Sequence, residues 1–398
     1  MTVIADAAPI RHAPTRPERL RVRVVGTVEE ASAVWDALER TGSGSAYQSR
    51  RFLEPWLAHV APAANIAPRI GLVEESDGRP VGLLPFGVTR HGPLRAVVYL
   101  GGRDSNLNMP LIDPAIAIAG DDARTLLQRF GRALSPRPDL FILANQPRAW
   151  HGVGNPFALP DASPSPSAAF GGHFGGDVDA FLAAHESRDA RRKMRAKLAR
   201  LASFGPVSFA RATPEQARSV VATFTAQKDA QLALRGIPAD FDNLWMRAFF
   251  ENLAAPPIGE AALEFHMLCT GDRIVAIFGG LPHGTHWHGL INSYDSDPAV
   301  ARCSPGAQLV HDTLADLGRR GFESFDLGIG EASYKASLCD ETIDLVDTIV
   351  PVTLQGQALA SAVALRFAAK RWIKQRPAAM RTVQSVRGAL TAMRKPRP

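Results

Sequence analysis

Apolar and polar positions along the chain alternate in short runs, separated by longer stretches of helical period. Residues 20–26 (LRVRVVG) alternate as a strand, and TVEEASAVWDALER follows with a Thr cap, Glu in its first turn and helical apolar spacing. APRIGLVEES, VGLLPFGVTR and RAVVYLGG then predict a three-strand antiparallel meander turning at DGRP. Helix ARTLLQRFGRAL and strand DLFILAN come next, and the Pro-rich PFALPDASPSPSAA is expected to be a linker.

The order then repeats behind an extra basic helix, DVDAFLAAHESRDARRKMRAKLARLA. Strand PVSFARA and helices PEQARSVVATFTAQKDAQL and FDNLWMRAFFENLA lead into a second meander of LEFHMLCT, IVAIFGGLP and HWHGLINSY. Helix SPGAQLVHDTLADLGRR, strand FESFDLG, a short helical EASYKASL and strand TIDLVDTIVPVTL close it. Strand, helix, meander, loop, helix, strand appears twice, which is an internal duplication. The expected organisation is a flexible leader at 1–18, α/β units with mixed, mainly antiparallel sheets at 19–168 and 169–356, and a basic amphipathic tail at 357–398.

Composition narrows the class. At 398 residues, 46% hydrophobic and 21% charged, the chain has enough apolar material for two cores and is neither fibrous nor disordered. Cys269, Cys303 and Cys339 form no CxxC pair, so no disulfide framework or thiolate zinc site is indicated and a reducing, cytoplasmic setting is expected. The N-terminus lacks a signal-peptide core, and no apolar run is long enough to cross a bilayer. The net charge of +6 belongs to the tail, since ten basic residues lie from Arg366 to Arg397 and no acidic residue follows Asp347. Leu359, Val363 and Phe367 share one side of that tail, either to pack on the protein or to lie on an anionic membrane surface, here the inner membrane.

Three segments, RRKMRAKLARLASFGPV, SPGAQLVHDTLADLGRRGFESFDLGIGEASYK and LGGRDSNLNMPLIDP, give the chain a family likeness. Over roughly residues 20–355 it resembles the bacterial CelD-type acetyltransferases associated with cellulose biosynthesis, of the GNAT superfamily, related in architecture to the FemAB aminoacyltransferases. The resemblance implies two tandem GNAT-like domains and acyl transfer from acetyl-CoA or another acyl-CoA. The implied acceptor is an amine or hydroxyl of a small molecule or a polysaccharide or exopolysaccharide precursor. No metal is implied.

A GNAT enzyme uses the loop opening AVARCSPGAQL to hold the cofactor diphosphate through backbone N–H groups and the helix dipole. This assigns Arg302, Ser304, Gly306 and Ala307 to cofactor binding, with Ser304 as cap and Pro305 in the first turn. The loop departs from the family signature, because Arg302 lies four residues before Gly306 and Pro305 removes a donor. An ordinary capped helix start explains the same letters. Tyr334 is the candidate general acid toward the leaving thiolate, with Lys335 beside an anionic group; helix-flank packing is the plain alternative. Base candidates are Asp295, Glu331 and Asp326, with an Asx turn equally able to explain Asp295.

Asp104 and Asn108 match family positions facing an acceptor groove, and Tyr294 and His288 are further substrate candidates, although Asp and Asn are also ordinary turn residues. His286 and His288 share a strand face, but no third metal ligand is evident. The basic helix at 188–201 lacks the interleaved aromatics that stack bases, which disfavours nucleic acid and leaves a solvated face or an anionic partner. An aminoacyltransferase drawing on charged tRNA, a non-catalytic envelope-assembly partner and a polysaccharide-binding module are the competing readings.

Overall fold

The computed structural model describes residues 20–41, 44–118, 120–237, 241, 243–256 and 262–376. The leader and the end of the tail, residues 377–398, lie outside the described residues. In the first half the longer elements are β1 (Arg21–Val25), α1 (Val28–Thr41), α2 (Arg50–His59), β2 (Ile70–Glu74), β3 (Pro80–Leu84), β4 (Phe86–His91), β5 (Leu94–Tyr99), α3 (Gly120–Ala133) and β6 (Leu140–Pro147). The second half has β7 (Ala169–His173), α4 (Val178–His185), α5 (Arg188–Leu201), β8 (Val207–Arg211), α6 (Ala217–Leu234), α7 (Leu244–Ala254), β9 (Glu264–Thr270), β10 (Arg273–His283) and β11 (His286–Tyr294). It continues through α8 (Pro305–Arg319), β12 (Ser324–Ile329), α9 (Ser333–Leu338), β13 (Glu341–Ile343), β14 (Leu345–Pro351) and α10 (Leu354–Lys374).

The architecture is α/β with mixed, mainly antiparallel sheets, and each half contains one parallel pair joined through a helix. β5 runs parallel to β6 across α3, and β11 runs parallel to β12 across α8. The meander of the first half has four strands where three are expected from sequence. Pro85 interrupts the middle run because it has no N–H for a ladder, so β3 stays with β1 and β2 while β4 joins β5 and β6 in another sheet. Helix α2 is also absent from the sequence expectation. It is capped by the Ser49 side chain, which accepts from the Phe52 N–H, and it buries Phe52, Leu53 and Trp56 despite Pro55 within it.

Two departures bind the halves together. The last strand, expected to run on through 342–354 in the second unit, divides in two. β13 stays at the edge of the seven-stranded sheet, whereas β14 crosses to pair antiparallel with β6 of the first half. Residues 156–169 are not a loose linker: Phe157 and Leu159 are fully buried, and Ser163–Pro164 pairs with β14. One apolar cluster runs through both halves, with Trp35, Phe52 and Leu107 on one side and Phe224, Phe249 and Phe265 on the other. Phe52 meets Phe249 edge to face at 5.7 Å, so α2 and α7 lock the halves into one body.

Helix α10 packs on β14 and β6. Gly356 and Ala360 are buried, and Leu359, Val363 and Phe367, the stripe singled out from sequence, are half-buried on this side. A Cβ at Gly356 would lie 1.9 Å from the Asp139 carbonyl oxygen, so the helix backbone rests directly on the chain entering β6. No helix among the described residues is long and apolar enough to cross a membrane.

Candidate active site

β11 and β12 are paired only at His286↔Ser324, Trp287↔Phe325 and His288↔Asp326. Past this point they separate. On the other side of β11 a bulge shifts the register, so that Gly279 faces Ile291 while Gly280 faces Gly289. Such a bulge bends its strand and increases twist, which turns β11 away from β12. Gly328 sits at the parting with φ +74°, where a Cβ would be 2.9 Å from Gly289 O and 2.7 Å from Asn106 Nδ2. Only glycine permits that conformation and that approach.

A cavity of about 710 Å³ opens where the strands part, beneath the start of α8. Its wall brings together Tyr294, Ser304, Gly306, Ala307, Glu331, Tyr334 and Lys335 from the sequence candidates, and adds Lys228, Gln231, Arg235 and Asn292. In the first turn of α8 Pro305 has no N–H and the Ala307 N–H donates to Ser304 O at 3.1 Å, which leaves the Gly306 N–H without an intrahelical acceptor at the positive end of the helix. Gly306 leaves room there: a Cβ would be 3.6 Å from the Tyr294 ring. Ser304 does not cap the helix as expected. It takes a left-handed conformation, φ 53° and ψ 50°, and its hydroxyl instead accepts from Lys197 Nζ of α5 at 2.8 Å. In the basic helix Leu201 is buried and Met194 and Leu198 are half-buried, while its arginines and lysines are exposed, as a solvated face would be.

The Asn292 side-chain amide donates to the Tyr334 hydroxyl oxygen at 3.3 Å, and Lys228 donates to Asn292 O at 2.9 Å. Burial, and secondarily Cys339, pushes the Tyr334 phenol up to about 12, so it holds its proton at neutral pH and can donate a hydrogen bond into the cavity. Burial takes the Lys228 and Lys335 ammonium groups down to about 8. Lys335 donates to Gly328 O at 2.9 Å and Ile329 O at 3.2 Å, bracing the loop at the parting. Glu331 is exposed at the rim and accepts from the Ser167 hydroxyl.

The remaining candidates lie elsewhere. Asp295 is outside the cavity wall; its carboxylate pairs with Arg273 at 2.6 Å and caps the turn into Asp297, which is the Asx-type role. Arg302 ends the short Pro298–Ala301 turn and is exposed. Asp104 accepts from the Trp56 indole at 2.9 Å, and Asn108 is buried with its amide donating to Ala144 O, so both hold the first half together. From the same loop, Asn106 reaches the parting of the strands, donating to Gly289 O at 3.1 Å and to Tyr47 Oη at 2.7 Å. Neither Asn106 nor Tyr47 is distinguishable in sequence from turn and core residues.

His288 lies behind the parting in a buried cluster with His286 and Asp326, whose nearest donor atoms lie within 4.8 Å. Asp326 supplies a third potential ligand atom beside the two imidazoles, which no sequence spacing reveals. Hydrogen bonding among the three is already complete. His288 Nδ1 donates to Asp326 Oδ2 at 2.6 Å, while the Ala46 N–H points to its Nε2 at 3.5 Å. His286 Nε2 donates to the same oxygen at 3.2 Å and its Nδ1 accepts from the Ser324 hydroxyl; Asp326 Oδ1 accepts from the Gly328 N–H. These partners assign two neutral imidazoles around one carboxylate. Burial pushes the Asp326 carboxyl up, but the two histidines, His288 first, outweigh it and hold it well below the usual carboxylate range.

A pH dependence follows. Burial, and then His288, takes the His286 imidazole down from 6.5 to about 4. Between those values the unfolded chain binds a proton that the native state does not, so stability is full above the upper value and falls as pH drops toward the lower one. At 1.36 kcal/mol per unit, the expected loss is about 3 kcal/mol across the window. Urea midpoints measured near about pH 7 and about pH 4.5 should show it, and equal midpoints would contradict the neutral assignment.

Residues 188–336 match the family model described as an Acetyltransferase (GNAT) domain, a span that includes the cavity, α8 and Tyr334. No curated protein sequence matches the chain. Among solved structures, FemX is similar with a TM-score of 0.56 at 10% identity, over 86% of this chain and 99% of that one. A conserved protein of unknown function from Bacteroides thetaiotaomicron is similar with a TM-score of 0.51 at 12% identity, over 83% of this chain and 100% of that one. At such identities these likenesses are of fold.

Proposed function

We propose that the protein is an acyltransferase that moves an acyl group, acetyl by the family likeness, from acyl-CoA to an amine or hydroxyl of an envelope- or polysaccharide-related acceptor. The observation that carries this reading is the cavity at the parting of β11 and β12, where the start of α8 and the protonated phenol of Tyr334 face one space. The Gly306 N–H at the positive end of α8 and the Lys197 ammonium suit the diphosphate of the donor. The acceptor's nucleophile bonds to the acyl carbon as the C–S bond breaks; Tyr334 donates a hydrogen bond to the departing sulfur, and the proton released by the acceptor ends on the thiolate. The GNAT match over 188–336 supports the donor class.

Acetyl-CoA is expected to raise the unfolding free energy, by about 2.7 kcal/mol at a hundredfold excess over its Kd. Thermal melts with acetyl-CoA, free CoA and longer acyl-CoAs read this directly. A charged tRNA that binds while no thioester does would replace the reading with aminoacyl transfer, and binding of neither donor would leave a non-catalytic partner.

A further inference from the structure

We propose that the outward face of α10 docks on an anionic lipid bilayer. The helix has two unlike sides. Gly356 and Ala360 face the sheet, and the backbone contact of Gly356 at Asp139 fixes which side that is. On the other side, Leu354, Leu365 and Trp372 are 93%, 72% and 50% exposed. Leu354 precedes Leu365 by about three helical turns and Trp372 by about five, so all three stand in one line along the helix. Leu354 and Leu365 are largely turned to solvent, while half of Trp372 is covered, in part by Arg376. Val352, at 46% exposure, extends the apolar edge at the near end.

Charge selects the occupant. Arg366 is exposed on the flank of the helix about a third of a turn from the stripe, and the Arg376 guanidinium lies 4.3 Å from the Trp372 ring centroid. No acidic residue follows Asp347 in the sequence, and Asp347 itself is buried against Ser165. A line of Leu, Leu and Trp on a helix that carries cations and no acidic residue suits the interface of an anionic bilayer: the apolar stripe enters the acyl boundary, the indole sits at headgroup level and the cations meet lipid phosphates. Because the opposite side of α10 is seated on the protein, docking would hold the molecule in one orientation. The proposal is independent of donor chemistry in the second half.

Co-sedimentation of the full chain with vesicles of phosphatidylcholine, with and without phosphatidylglycerol, tests it. Binding is expected to the anionic vesicles, to weaken with salt, and to fall by at least about tenfold in the double variant Leu365→Glu, Trp372→Glu. An unchanged melting temperature of that variant shows that the lost binding is not a loss of fold. The proposal is overturned if the full chain fails to sediment with anionic vesicles. It is equally overturned if the double variant sediments as well as the parent, which would place binding in charge alone. A vesicle-free dimer that the substitutions dissociate, with no lipid binding, would make a second copy the occupant.

Discussion

Gly306→Glu is expected to lower acetyl-CoA affinity by about a hundredfold or more, equivalent to about 2.7 kcal/mol, without unfolding the protein. Both halves of that statement come from the start of α8. A Cβ at Gly306 meets the Tyr294 ring at 3.6 Å, an ordinary contact, so the added side chain is accommodated. A carboxylate in the first turn also interacts favourably with the helix dipole, by roughly 0.3–1 kcal/mol. Against a donor phosphate the same carboxylate is repulsive, and like charges about 4 Å apart at a partly screened site cost about 4 kcal/mol. Repulsion therefore exceeds the capping gain once ligand is present, and only then. Gly306→Ala, which adds bulk without charge, should stay within a few-fold of the parent. Calorimetric titration of the three proteins, with ligand-free melts alongside, separates the effects. A Glu variant that binds acetyl-CoA like the parent would remove the diphosphate from this helix end, and with it the proposed donor site.

The donor side of this site is legible in sequence because its signals are local. Ser304-Pro305-Gly306 announces a helix start within three residues, and Tyr334 follows a strand in the same short segment as Glu331 and Lys335. The structure brings these residues to one cavity wall even though Ser304 is not the cap it resembles. The other side is built from pairings between distant segments, which no local period encodes. His288 meets Asp326 through a parallel register, and Asn106 reaches Gly289 from the other half of the chain. The same limit applies to the fold. Alternation identifies β14 as a strand, but its partner β6 is chosen by packing of the two halves, and nothing within TIDLVDTIVPVTL points there. In α2, Pro55 argues locally against a helix, yet burial of Phe52, Leu53 and Trp56 in the shared core outweighs one lost backbone bond. The mistaken linker has a similar origin. Its prolines and serines suggest a loose chain, while Phe157 and Leu159, the two large apolar residues among them, anchor it in the core.

Replacing Asp326 by Ala is expected to cost about 3–5 kcal/mol of stability, because three buried donors lose their acceptor at about 1–3 kcal/mol each while the desolvation cost of the carboxylate is relieved. The carboxylate is fully buried and accepts from His286, His288 and the Gly328 N–H, so its removal strands three donors away from water. The damage should reach both halves. His288 receives the Ala46 N–H, and its ring lies 5.3 Å from Tyr47 and 5.5 Å from a stacked Trp150, all three from the first half. Asp326→Asn is the informative companion. It keeps the volume and one accepting oxygen, but its amide group turns an NH₂ toward groups that themselves donate, so one imidazole must change tautomer or lose its bond. A smaller cost, about 1–3 kcal/mol, is expected for it. Urea unfolding at neutral pH gives the ranking, parent above Asn above Ala. If Ala lost less than about 1 kcal/mol, the carboxylate would be dispensable to the junction of the halves and the pairing of His286 and His288 around it would carry no stability.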